Sequence, residues 1–80
     1  MPPDWIVKRV LLGPAPVRRA AAARATDAQE RWMLMQSAEV RRSYVRDVLE
    51  RGATDELEQA WMLRQPDGVR ESYVADVLGV

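Results

Sequence analysis

Cysteine and histidine are both absent from this 80-residue chain. Without cysteine there is no disulfide framework, no thiolate nucleophile and no cysteine-based zinc site. Without histidine the commonest general base and the commonest metal ligand are gone. No apolar run approaches the ~18 residues that a transmembrane helix needs. The N-terminus has no long apolar core followed by a small-residue cleavage site, so no secretory signal is expected. Net charge is missing too, because twelve Lys and Arg balance twelve Asp and Glu. These absences point to a cytoplasmic protein without a resident cofactor or metal.

Apolar bulk is present. Hydrophobic residues make up 48% and charged residues 30%, which suits neither a disordered chain nor a membrane span. A chain this short buries little apolar area against its conformational entropy. It therefore needs well-packed helices, a partner or copies of itself. Charge is uneven along the chain. Residues 1–25 carry Lys8, Arg9, Arg18, Arg19 and Arg24 against Asp4, a net of +4. Residues 26–80 carry seven Arg against eleven acids, a net of −4. A basic front and an acidic back can pair head to tail, or the front can meet phosphate.

The strongest pattern is an internal repeat. Residues 32–49 read WMLMQSAEVRRSYVRDVL and residues 61–78 read WMLRQPDGVRESYVADVL, identical at twelve of eighteen positions. A weaker copy lies at 10–24, VLLGPAPVRRAAAAR, where Val17-Arg18 matches Val40-Arg41 and Val69-Arg70. Each copy reads as two helices with a corner, giving repeats at about 4–25, 27–51 and 54–80. Asp4 suits an N-cap for a helix over 5–12, with a strand as the alternative given its β-branched residues. Gly13-Pro14 ends that segment, and Pro16 suits the first turn of an Ala-rich helix that can continue unbroken into 27–36. Further helices are expected over 38–50, closed by Gly52, from Thr54 or Asp55 to about 65, and over 68–78. Asp55 and Glu58 stand at capping-box spacing.

The second helix of each later pair is amphipathic. Val40, Tyr44, Val45, Val48 and Leu49 span an arc of about 180° at ~100° per residue. Arg41 falls inside that arc, and Arg70 and Arg18 hold the same place in the other copies. A buried guanidinium must find acceptors. Corner carbonyls at a helix C-terminus, or Asp67, Asp47 or Asp76, would serve. Arg18, Arg41 and Arg70 thus read as a ladder tying one helix pair to the next.

The apolar run, Pro and Val-Arg of LRQPDGVRESYVADVLG and LLGPAPVRRAAAARA resemble HEAT-like repeats of the short, phycobilin lyase type. The middle copy has Ser37-Ala38 in place of a Pro corner, and Ser-Tyr stands where an Ala pair is usual in that family. The resemblance implies an all-α fold of two to three stacked helix-turn-helix (αα-hairpin) repeats in a small right-handed array. It implies ladder roles for Arg18, Arg41 and Arg70, a corner-acid role for Asp67, and protein binding rather than chemistry.

No catalytic constellation appears. Ser43 and Ser72 have no histidine partner, and there is no Gly-x-Ser-x-Gly elbow, Walker A motif or Gly-rich phosphate loop. Asp55, Glu56 and Glu58 open a helix, where acids complement the macrodipole. A nucleic-acid reading uses Arg18, Arg19 and Arg24 as phosphate contacts and the corner at 36–39 as a helix-turn-helix, with Arg41, Arg42 and Arg46 on its second helix. Against it stand neutral net charge and the inward place of Arg41. The leading expectation is a small interaction or regulatory adaptor module. Its last repeat ends in Val77, Leu78 and Val80 without a polar cap, so homodimerisation or a protein partner is expected there. Trp61 and Met62 are candidates for the same surface, with a place in the repeat core as the alternative.

Overall fold

Proline, glycine and short polar caps set the boundaries of every helix. The structure is a computed structural model and describes residues 4–79. The side chains of Asp4 and Trp5, with the expected Asp4 cap, and the whole of Val80 lie outside the described residues. Among those described there are six α-helices and no strand. Helix α1 (Asp4–Leu11) replaces the strand alternative for this segment. It ends at Gly13, where an added Cβ would lie 2.9 Å from the Arg9 carbonyl oxygen. Helix α2 (Ala15–Arg24) starts directly after Pro14, with Pro16 in its first turn, where a missing N–H is no loss.

Helix α2 ends at Arg24, as the repeat boundary at 25 has it, and does not take the alternative of running on into the next helix. Ala25 is extended (φ −66°, ψ 129°). Asp27 then caps α3 (Ala28–Leu34), its carboxylate accepting from the N–H of Gln29 at 2.8 Å and of Glu30 at 3.4 Å. Such a cap contributes about 1 kcal/mol, enough to set a boundary that alanine propensity alone would blur. Ser37 caps α4 (Ala38–Asp47) through the Val40 N–H at 3.3 Å. A 3-10 turn, Leu49–Arg51, follows and closes at Gly52, whose φ of +109° suits glycine. Thr54 caps α5 (Asp55–Leu63) through the Leu57 N–H at 3.2 Å. Asp55 is therefore the first helical residue and not the cap, and Glu58 is freed from a capping box. After the Pro66 corner, α6 (Asp67–Tyr73) runs into a π turn, Val74–Leu78, closed by the Gly79 N–H on the Val74 carbonyl at 3.0 Å.

The buried core is Leu11, Trp32, Met33, Leu34, Val45, Val48 and Trp61. The first hairpin covers the second: α2 lies on α3 and α1 on α4. The second and third hairpins meet differently. The Trp32 Nε1–H donates to the Ser72 hydroxyl at 2.9 Å, and the Trp61 Nε1–H donates to the Ser43 hydroxyl at 2.9 Å. Trp32 also meets Tyr73 edge-on at 5.1 Å, while Trp61 meets Tyr44 at 5.2 Å with a 37° tilt. Trp61, Ser72 and Tyr73 are the repeat equivalents of Trp32, Ser43 and Tyr44. Contacts that are returned in this way describe two units facing each other about a local two-fold axis. A translational row would send each contact in one direction only. Gln29 and Glu58, themselves equivalent, touch directly, Nε2 to Oε2 at 3.3 Å, which places them on that axis. The molecule measures 27 × 26 × 23 Å, with no long axis along which hairpins extend in line.

Candidate docking surface

The three repeat arginines begin alike and end differently. Arg18 donates from a terminal nitrogen to the Gly13 carbonyl at 2.6 Å, five residues upstream. Arg41 donates from Nε to the Gln36 carbonyl at 3.0 Å, again five residues upstream, and from a terminal nitrogen to the Leu11 carbonyl at 2.5 Å. Both acceptors lie at or just past helix C-termini, where carbonyls lack helical partners and the dipole favours a cation. Arg41 is buried, and burial, with the nearby charges of Arg18 and Arg42, lowers its pKa from the ordinary arginine value. Arg70 instead pairs with the exposed Asp67, and its shielded Nε finds no acceptor among the described residues.

The same divergence runs through the apolar positions. Leu34 is 6% exposed and its equivalent Leu63 is 74% exposed. Val45 is 3% exposed and its equivalent Val74 is 38% exposed. Val48 is fully buried, whereas Val77 is half-buried and Leu78 lies 59% exposed. Trp32 and Trp61, by contrast, are buried alike. The tryptophans are covered by each other's hairpin. The remaining positions are covered in the second hairpin by α1 and α2, and the third hairpin has no such cover.

Of the residues singled out for partner binding, Trp61 is internal, Met62 and Val77 are half-buried against the core, and Leu78 is at the surface. Leu63 was not singled out, because its sequence context matches that of a core leucine. Of the residues singled out for phosphate, Arg18 and Arg19 line a hollow of about 250 Å³ with Leu34 and Met35, and Arg24 is not part of it. Met35, 73% exposed, joins Leu12 and Val17 as uncovered apolar residues of the first half of the chain.

A second hollow of about 350 Å³ opens between the second and third hairpins. Trp32, Trp61, Tyr44 and Tyr73 line it, together with the polar Gln29, Glu58 and Gln59. Glu58 accepts from the Tyr44 hydroxyl at 2.8 Å. Burial, with the negative charges of Glu58 and Asp27, pushes the Tyr73 phenol up from its ordinary value. Gln29, Tyr44 and Glu58 hold one another here. Among the described residues no cluster of three or more acids could hold a metal ion, and no helix is long and apolar enough to cross a membrane.

No protein-family model, curated protein or solved structure matches this chain. The likeness to HEAT-like repeats rests on the Pro, Val-Arg and apolar residues themselves.

Proposed function

We propose that the chain is a small, non-enzymatic protein-interaction module whose unit is a HEAT-like αα-hairpin and whose third hairpin carries the docking face. One observation supports this above the others: Leu63 is 74% exposed where its repeat equivalent Leu34 is 6% exposed. Val74 and Leu78 extend the uncovered area along the end of the last helix. Apolar positions that a repeat covers in one copy and leaves open in the next mark a contact surface. The exposed Asp67 and Glu71 stand on the Val74 and Leu78 side of the last helix, so the favoured partner surface is apolar with basic neighbours.

The helix-turn-helix reading draws less support. Arg41 would sit on the recognition helix, yet its guanidinium is buried on two backbone carbonyls. The test is an affinity capture with nuclease, comparing the intact chain with Val77→Asp/Leu78→Asp. A nuclease-resistant protein or second copy bound near one to one, and lost in the double variant, is expected. Equal capture by both forms removes the third hairpin from the reading. Nucleic acid in the eluate moves the function to the basic front.

A further inference from the structure

The uncovered face of α5 and α6 and the uncovered residues of the first half of the chain are complementary. At the back, Leu63, Val74 and Leu78 are exposed, and Asp67 and Glu71 are exposed on the Val74 and Leu78 side of the last helix. At the front, Leu12, Val17 and Met35 are exposed, as are Arg19 and Arg42, and Arg18 and Arg19 share a hollow with Met35. Residues 1–25 are net positive by four, and residues 54–80, with six acids against Arg64 and Arg70, are net negative by four. The fold also shows which kind of element fits such a face. On the second hairpin the equivalent positions, Leu34 and Arg41, are covered by α1 and α2, with the Leu11 carbonyl on the guanidinium. Arg70 holds an Nε with no acceptor at the corresponding place.

We infer that the occupant of the third hairpin's open face is a second copy of this chain, docked by the basic, apolar outer side of its first half. This rests on the protein-interaction reading and names its partner. The contact is head to tail. The α1–α2 hairpin of the second copy stays on its own α3 and α4, because its Leu11 is buried there and its Leu11 carbonyl is already bound. A self-facing arrangement of two backs would set Asp67 and Glu71 against the same acids, which repel. Front against back sets apolar on apolar and opposite charges together. A heterologous contact of this type leaves a free front and a free back on every assembly, so it extends with concentration.

The experiment is sedimentation of the full chain from micromolar to millimolar concentration, at low and high salt. The intact chain is expected to gain mass with concentration and to lose it as salt screens the charges. Leu63→Asp blocks the back and Leu12→Asp blocks the front. Both residues are exposed, and circular dichroism confirms the helical fold of each variant, with Val17→Asp as a second front block. Each variant alone is expected to stay monomeric. Mixed one to one, they are expected to form a discrete dimer, because the intact front of one meets the intact back of the other, and each self-association constant should fall at least ~10-fold. A monomeric intact chain at millimolar concentration overturns the inference, as does a mixture that stays monomeric or a blocked variant that assembles like the intact chain. If the intact chain is monomeric yet binds a different protein through Leu78, the interaction reading survives and only the second-copy assignment falls.

Discussion

Leu34 and Leu63 hold the same place in two copies of one sequence, and one is core while the other faces solvent. Arg41 and Arg70 differ in the same sense, the first bound to two backbone carbonyls and the second to an exposed carboxylate. Trp32 and Trp61 are alike in burial and in the serine hydroxyl each donates to. The contrast separates two sources of burial. What the second and third hairpins give each other is equal on both sides. What the first hairpin gives to the second has no counterpart on the third. Environment here is decided by which neighbour is present, since the local sequences are nearly the same.

Variants can break or sharpen that contrast. The largest effect is expected where the two hairpins are equal: Trp32→Ala and Trp61→Ala should each cost about 3–5 kcal/mol in urea unfolding. For a domain whose total stability is of order 5 kcal/mol, either variant should be largely unfolded. A large difference between the two would end the claim of a reciprocal interface. Next comes the pair expected to be unequal. Leu34→Ala should cost about 2–5 kcal/mol. Leu63→Ala, at the surface of the free chain, should stay within about 0.5 kcal/mol. Equal midpoint shifts would mean that the third hairpin is covered after all.

The arginines give a smaller version of the same test. Arg41→Met leaves the Leu11 and Gln36 carbonyls without their donor and should cost about 1–3 kcal/mol. Arg70→Met removes an exposed ion pair and should cost about 0–1 kcal/mol. Thermal unfolding of the two variants side by side reads the difference.

The smallest effect concerns Asp47, whose equivalent is Asp76. Arg46 donates to both Asp47 carboxylate oxygens, at 2.9 and 3.1 Å, and those hydrogen bonds hold the Asp47 pKa below its ordinary value of 3.8. A carboxyl with a depressed folded pKa adds stability above 3.8 that is lost as pH falls through the folded value. Carboxyl NMR should show Asp47 titrating below 3.8, and Arg46→Ala, which installs the residue that the third repeat has at Ala75, should move that midpoint upward. An unchanged midpoint would show that Arg46 is not the cause.

Much of the helix layout could be read from the residues. Pro14, Pro16, Gly52 and Pro66 mark corners because each restricts or frees the backbone in a specific way. The inward angle of Arg41 follows from its place between Val40 and Val45. The break at Ala25 is legible from the repeat spacing, which ends one copy at 25 and starts the next at 27, but not from the alanine run, which favours helix at every position. The spacing of Glu58 from Asp55 fits a capping box, whereas Thr54 caps the helix and Glu58 accepts from Tyr44 and Gln29. The repeat revealed the unit, but not the operation relating one unit to the next. Ser43 and Ser72 carried that information only as a pair, each seated beside a tyrosine at the same register, and their tryptophan partners lie in the opposite hairpin. Leu63 was the hardest to read, since everything around it in sequence says core.

A residue on a two-fold axis meets its own equivalent. Two separate identical hairpins would have to bring glutamine to glutamine, or glutamate to glutamate with like charges facing. One continuous chain is free of that identity. Gln29 offers an N–H and Glu58 accepts it, with the Tyr44 hydroxyl as a second donor on the same carboxylate. The peptide link through Gly52 therefore does more than tether the halves. It fixes which half is which, so that the axis can hold an amide donor against a carboxylate, a pairing of unlike side chains that two interchangeable subunits could not supply at one position.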